Sequence, residues 1–341
     1  MKVKTHILTL KSRYIFRIAH GARTETKTFV VELQDGEYTG YGEATPVPYY
    51  GITPESMQQL IEDKKEFIEN YDLQSPEDFW AYLRPNFKGN HFAQCALDIA
   101  AYDLWAKKQH QPLYKLWGLT LDHNPVSNYT IGIDEIDIMV QKMKEFDFPV
   151  YKIKLGTEND LEIVKALRQH TDAVFRVDAN CGWGVDETIR NSRELVKYNV
   201  EFIEQPLLAD NLEGMKEVIK SSALPLVADE SCIVEEDVER CHGYFNAINI
   251  KLAKCGGLTP ARRMIKKARE LNMKVMVGCM TETSIGISAI GQLLPLIDYV
   301  DMDGSILIAN DPAEGVYLDK GVAVYPERNG IGAAFKSIIS G

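Results

Sequence analysis

Val150-Tyr-Lys-Ile-Lys154, Phe175-Arg-Val-Asp-Ala-Asn180, Phe202-Ile-Glu-Gln-Pro206, Leu226-Val-Ala-Asp-Glu230 and Ile248-Asn-Ile-Lys251 follow one another through the middle of the chain, each a short apolar run that ends in charge. The charges at 178, 204, 229 and 251 are spaced by 26, 25 and 22 residues. One strand, one helix and two loops consume about that much chain, which is the repeat of a β/α barrel. The carboxylates and lysines are therefore expected together at the C-terminal mouth of one barrel, where such barrels keep their chemistry.

Outward from this core, strand and helix signals alternate from Val126 onward. Strands are predicted at Val126–Ile133, Val150–Leu155, Val174–Asp178, Val200–Glu204, Pro225–Ala228, Ala247–Ile250, Lys274–Gly278 and Tyr299–Met302. Eight strands suit a closed barrel, and no full eighth helix follows the last one. Before the barrel, residues 1 to about 45 read as strands, with Thr28-Phe-Val-Val-Glu-Leu33 rich in β-formers and a hairpin turn at Asp35-Gly36. Residues 54 to about 117 read as helices. Pro54 suits a first helical turn, and Phe92 to Trp105 carries apolar residues at helical spacing. The expected fold is α/β: a modified TIM barrel, (β/α)7β, with an α+β capping domain formed by the N-terminal region and the C-terminal tail. Its parts are a cap over residues 1–117, a barrel over 118–311 and a tail over 312–341 that returns to the cap.

The composition narrows the function. Of 341 residues, 45% are hydrophobic and 26% charged, enough to bury a large core. A net charge of −11 argues against nucleic acid or an anionic membrane as partner. No signal-peptide core opens the chain and no apolar run would span a bilayer, so a cytoplasmic location is expected. The six cysteines are scattered without a C-x-x-C, and the seven histidines form no zinc pattern. Gly256-Gly257 lacks the context of a phosphate loop and reads as a tight turn. A homo-oligomer is compatible with the sequence.

Asp178, Glu204 and Asp229 end three successive strands, and neighbouring strands lie roughly 5 Å apart. Carboxylates that close repel unless a cation neutralises them, and a hard divalent ion such as Mg2+ suits oxygen donors of this kind. Lys152 and Lys154 are two apart, so both point to one face of their strand, with Tyr151 and Ile153 turned toward the helices. Lys251 ends a strand four units later, on the far side of the mouth. Two lysines can thus flank a substrate, and a metal close by should depress their pKa values. Lys254, past the strand end, reads as structural or solvated. This arrangement fits removal of a proton α to a carboxylate and its return from the opposite face, a 1,1-proton transfer through an enediolate.

These motifs, Lys152-x-Lys154, Asp178-Ala-Asn180, Glu204-Gln-Pro206, Asp229-Glu-Ser231 and Asn249-Ile-Lys-Leu-x-Lys-x-Gly-Gly257, together resemble the muconate-lactonising subgroup of the enolase superfamily over nearly the whole chain. The resemblance implies Asp178, Glu204 and Asp229 as Mg2+ ligands and Lys154 and Lys251 as the acid/base pair. It implies that Lys152 binds and polarises the substrate carboxylate, and that Asn180, Asn249 and Glu230 support the ligands and lysines.

The subgroup runs several reactions, so the substrate must be read elsewhere. Tyr299-Val-Asp-Met-Asp-Gly304 places Asp301 and Asp303 on one face at the mouth, and resembles the Asp-x-Asp motif by which dipeptide epimerases receive a substrate ammonium. Gly21-Ala-Arg-Thr24 resembles the cap loop of Ala-Glu epimerases, which implies that Arg23 meets a glutamate side chain. The loop around Pro46, Tyr49 and Tyr50 is expected to close over the substrate. The reading is a dipeptide epimerase, an isomerase that inverts the C-terminal residue of L-Ala-L-Glu or a related Xaa-Glu dipeptide from peptidoglycan breakdown. The alternatives are a lyase of the same subgroup (an o-succinylbenzoate synthase or cycloisomerase) and an N-acylamino acid racemase, whose substrates would leave Asp301 and Asp303 without a task.

Overall fold

The computed structural model describes residues 1–18 and 21–336. Three long antiparallel strands open the chain: β1 (Lys2–Ile18), β2 (Gly21–Asp35) and β3 (Tyr38–Ala44). Asp35 pairs with Tyr38 across the two-residue turn at Gly36-Glu37, with Gly36 at φ +59°, as the Asp-Gly signal predicts. The sheet is covered by the helix His91–Lys108, which lies directly on β3. Gly40 and Gly42 permit that approach: a Cβ at Gly40 would sit 2.2 Å from the Ala100 carbonyl, and one at Gly42 2.0 Å from that of Ala96. Thr53 caps the helix Pro54–Asp63 through a reciprocal bond pair with Ser56, so the proline sits in the first turn as expected.

The barrel follows as eight parallel strands: β4 (Tyr129–Ile131), β5 (Val150–Lys154), β6 (Val174–Asp178), β7 (Val200–Glu204), β8 (Leu226–Ala228), β9 (Ala247–Lys251), β10 (Lys274–Gly278) and β11 (Tyr299–Asp301). They are ordered consecutively, and a bridge between Ser127 and Val300 brings the first edge to the last. Helices connect each strand to the next, and among the described residues none follows β11. This is the (β/α)7β arrangement expected. The sequence overestimates β4, predicted over 126–133 but formed over three residues, because the backbone N–H groups of Ser127 and Ile133 on either side bond the Gly321 and Arg17 carbonyls outside the ladder.

The barrel interior is divided along its axis. The N-terminal end is plugged by Phe202, Val227, Ala247 and Met276, with the Arg176 guanidinium between the rings of Phe202 and Tyr299 at 5.4 and 5.3 Å. The C-terminal end carries the charged residues. After β11 the chain forms two short ladders and reaches the cap, where Phe335 meets the rings of His6 and Tyr41, and Ile331 donates its N–H to Asp103. No helix among the described residues is long and apolar enough to cross a membrane.

Candidate functional site

The register of the parallel ladder sets the site. Lys154 is paired with Asp178 and Asp178 with Glu204, so successive strands deliver charge at one level. Lys152 and Lys154 are both buried and turned inward, while Tyr151 turns outward and bonds the carbonyls of Met143 and Phe146. Lys152 Nζ lies 3.0 Å from Asp178, 2.7 Å from Glu204 and 2.9 Å from Asp301. Lys154 Nζ donates to Asp178 at 2.6 Å, and Lys251 Nζ to Asp229 at 2.8 Å.

Lys254 takes the structural of its two expected roles and is not solvated. It is buried at 1% exposure and donates to both the carboxylate of Asp229, at 2.5 Å, and its carbonyl, at 2.9 Å. The short helix Leu252–Cys255 turns it back under the strand end, a geometry that a strand-end count does not reveal. Gln205 was missed. Its side-chain oxygen accepts the N–H groups of Asp229 and Ser231 and so fixes the loop after β8.

Among the supporting residues, Asn249 donates to Glu204 at 2.8 Å. The Asn180 N–H donates to Asp178 at 3.0 Å from a backbone with φ +45°. Glu230 is half-buried at the cavity wall.

Electrostatics follow from this crowding. Burial pushes Asp178 up, but Lys154 and Lys152 outweigh it and hold the carboxyl at about 2. Burial acts likewise on Asp229, and Lys251 and Lys254 hold it well below the usual range. Glu204 is pushed up to about 7, first by burial and then by the charge of Asp178. Burial alone would lower Lys152 and Lys251, but the carboxylates around them hold both above the ordinary lysine value. The lysines here are the counter-ions of the acidic cluster.

Asp301 and Asp303 differ in partners. Asp301 accepts from Lys152 and, at 2.8 Å, from Asn128, and Lys152 outweighs burial to hold it low. Asp303 accepts the Thr130 N–H at 2.5 Å and forms no ion pair among the described residues. Burial, then the charge of Asp301, push it up to about 8.

Arg23 is not on a loop. It lies on β2, paired with Phe16, with its guanidinium 5.4 Å from the Phe16 ring. Arg23, Tyr49, Tyr50, Lys152, Lys154, Lys251, Glu230, Asp301 and Asp303 all border one cavity of about 520 Å3 between cap and barrel. Lys154 and Lys251 stand on strands four apart in the eight-stranded order, hence on opposite sides.

The donors suit a hard cation. Three buried carboxylates offer oxygen from adjacent strands, and Glu204 Oε2 accepts no hydrogen bond, although Lys152 lies beside it. Among the described residues, the acidic and thiol atoms gathered within 4.8 Å are those of Cys279, Asp301 and Asp303. The oxygens of Asp178, Glu204 and Asp229 are instead paired with the ammonium groups of Lys152, Lys154, Lys251 and Lys254.

Residues 136–338 match the family described as enolase C-terminal domain-like, and residues 2–118 match the mandelate racemase / muconate lactonizing enzyme N-terminal domain. An L-Ala-D/L-amino acid epimerase of Flavobacterium johnsoniae is 53% identical over 332 residues, covering 97% of this chain and 99% of that protein. An L-Ala-D/L-Glu epimerase of Bacteroides thetaiotaomicron is 39% identical over 337 residues, covering 97% and 87%. The dipeptide epimerase of Cytophaga hutchinsonii, solved with Mg and D-Ala-L-Val, superposes with a TM-score of 0.93 at 27% identity, covering 99% of this chain and 96% of that one.

Proposed function

This chain belongs to the mandelate racemase / muconate lactonizing enzyme family of enolase-like proteins, and from that premise we propose that it is a Mg2+-dependent dipeptide epimerase acting on L-Ala-Xaa dipeptides, glutamate among the C-terminal residues. One observation carries the reading: Lys154 and Lys251 face a single cavity that is also bordered by Asp303, a buried carboxylate with no ion-pair partner among the described residues. A substrate ammonium is the complement of that carboxylate. An N-acyl or lactone substrate offers no cation there.

Asp178, Glu204 and Asp229 would hold the ion. When bound, Mg2+ would offset their mutual repulsion and stabilise the negative charge that develops on the substrate carboxylate. Lys152 orients that carboxylate. One of Lys154 and Lys251 takes the α-proton and the other returns one to the opposite face of the same carbon. A lysine can act as base only when neutral, and Asp229 holds Lys251 above the ordinary lysine value, an effect that a cation on that carboxylate would offset. Asn249 keeps Glu204 oriented, Asn180 supports Asp178, and Glu230 borders the lysine side of the cavity. Arg23 faces the C-terminal side chain, where a carboxylate would pair with its guanidinium. In this division residues 1–117 set specificity, 118–311 carry the chemistry, and 312–341 belong with the cap. We place the enzyme in the cytoplasm, with free dipeptides as its partners.

The test is incubation with Mg2+ and L-Ala-L-Glu in D2O, following the glutamate α-proton by NMR. Loss of the signal with appearance of the D-Glu epimer is expected. Silence with L-Ala-L-Glu and across a panel of L-Ala-Xaa dipeptides would overturn the reading.

A further inference from the structure

The β1–β2 hairpin slips register once. Lys11 pairs with Glu25 and Phe16 with Arg23, so Ser12 to Ile15 stand opposite Thr24 alone. The bulged residues pair instead with the segment after β11. Ser12 bridges Ile308, the Arg13 N–H donates to the Leu307 carbonyl at 2.8 Å, and the Ala309 N–H donates to Lys11 at 2.8 Å. On the other side of the hairpin, the Ile133 N–H donates to the Arg17 carbonyl at 3.0 Å and Arg17 pairs with Asp134 at 3.1 Å. A bulge re-aims the side chains around it, and this one is held from both sides, so the backbone at Phe16 is fixed over the barrel.

Phe16 borders two spaces. One is the substrate cavity. The other is a side cavity of about 20 Å3, bounded by Tyr129, Gly132, Lys142 and the bulge. Thr130, Thr281 and Leu307 border both spaces as well. These four residues are therefore the wall between them. The Thr130 N–H bonds Asp303, which puts the wall at the end of the cavity where the substrate ammonium is received, beside the first residue of a dipeptide.

We propose that Phe16 is a specificity-determining residue for the N-terminal residue of the dipeptide: its ring closes the wall beside Asp303 and sets the upper size of that side chain. The space behind it holds no more than a water or so, and the pinned backbone keeps the wall from yielding. This inference rests on the dipeptide reading above.

The experiment compares L-Ala-L-Glu with L-Leu-L-Glu by α-proton exchange in D2O with Mg2+, for the wild type, Phe16→Leu and Phe16→Ala. The C-terminal glutamate is constant, so loss of the ring beneath Arg23 acts on both substrates and cancels in their ratio. The kcat/KM ratio of the leucyl to the alanyl dipeptide is expected to rise about tenfold or more in Phe16→Ala, the scale on which pockets discriminate a few methylenes, with Phe16→Leu between. Thermal melting shows which variants are folded. A ratio within twofold of wild type in the folded variants overturns the role of Phe16 and leaves the epimerase reading standing. A wild type that exchanges neither these nor other dipeptides overturns that reading, and this inference with it.

Discussion

Glu43 Oε2, at the end of the third cap strand, accepts both the backbone N–H of Thr283 at 3.1 Å and its hydroxyl at 2.6 Å. The Gly286 N–H joins them at 2.9 Å. A carboxylate of the cap thus satisfies the N-terminus of the barrel helix Ser284–Gly291, where backbone donors and the helix dipole favour an anion. The loop before that helix supplies Met280 and Thr281 to the substrate cavity, so the same contact holds cap and site in one frame. Glu43→Gln keeps one oxygen for these groups but removes the negative charge and puts an amide where Oε1 accepts from the Thr28 hydroxyl and the Thr283 N–H. A loss of about 1–3 kcal/mol is expected, read as a lower melting temperature; an unchanged melting temperature would show that this junction does not hold the cap.

Asp98, on the helix His91–Lys108, makes a second junction. It is fully buried and accepts the backbone N–H and hydroxyl of Thr259 at 2.9 and 2.8 Å. Burial, only partly offset by these bonds, pushes its carboxyl up to about 7. The folded state therefore holds this proton more tightly than the unfolded chain. Its contribution to stability is full below about pH 4, falls as the unfolded chain ionises, and levels off above about pH 7. Asp98→Asn lacks this titration. The stability gap between wild type and variant should be widest at about pH 4 and narrow by at most about 4 kcal/mol by pH 8. Denaturation curves at the two pH values test it, and a gap that stays constant or widens would contradict the buried titration.

Strand-end charges survive in a sequence because a period-two strand and a repeated β/α unit leave little freedom in where Asp178, Glu204 and Asp229 fall. For the same reason the inward face of Lys152 and Lys154 could be read from Tyr151 and Ile153. The partners were not legible. Lys254 reads as structural or solvated alike until the turn Leu252–Cys255 brings it beneath Asp229. The role of Asn128 depends on a contact 173 residues away in the chain, with Asp301. The Gly21–Thr24 segment has loop composition, but pairing with β1 and the docking of the bulge on residues 306–310 make it a strand. Long-range closure of this kind leaves no periodicity to detect.

Magnesium should stabilise the protein before any substrate is added. Binding to the folded state alone contributes about 2.7 kcal/mol at a hundredfold excess over Kd, so millimolar MgCl2 should raise the melting temperature and EDTA should reverse it. Asp229→Asn removes a donor and leaves Lys251 and Lys254 without their counter-ion. The Mg2+-induced shift should be lost in that variant. A shift of wild-type size would place the ion elsewhere.

The unequal partners of Asp301 and Asp303 predict unequal variants. Asp303→Asn keeps an oxygen to accept the Thr130 N–H, so the fold should survive with little change in melting temperature. What it removes is the carboxyl group that would ionise against the substrate ammonium and pair with it. Truncating one side of a buried charge pair typically costs 2–5 kcal/mol, so kcat/KM for L-Ala-L-Glu should fall at least about thirtyfold by that measure. Asp301→Asn acts through Lys152, which loses one of its three carboxylate neighbours and leans on Asp178 and Glu204 instead. Its effect should appear in melting temperature and Mg2+ response as well as in rate. Circular dichroism melts and dipeptide kinetics on both variants separate the two roles. Equal kinetic losses with equal loss of stability would mean that Asp303, like Asp301, serves the fold rather than the substrate.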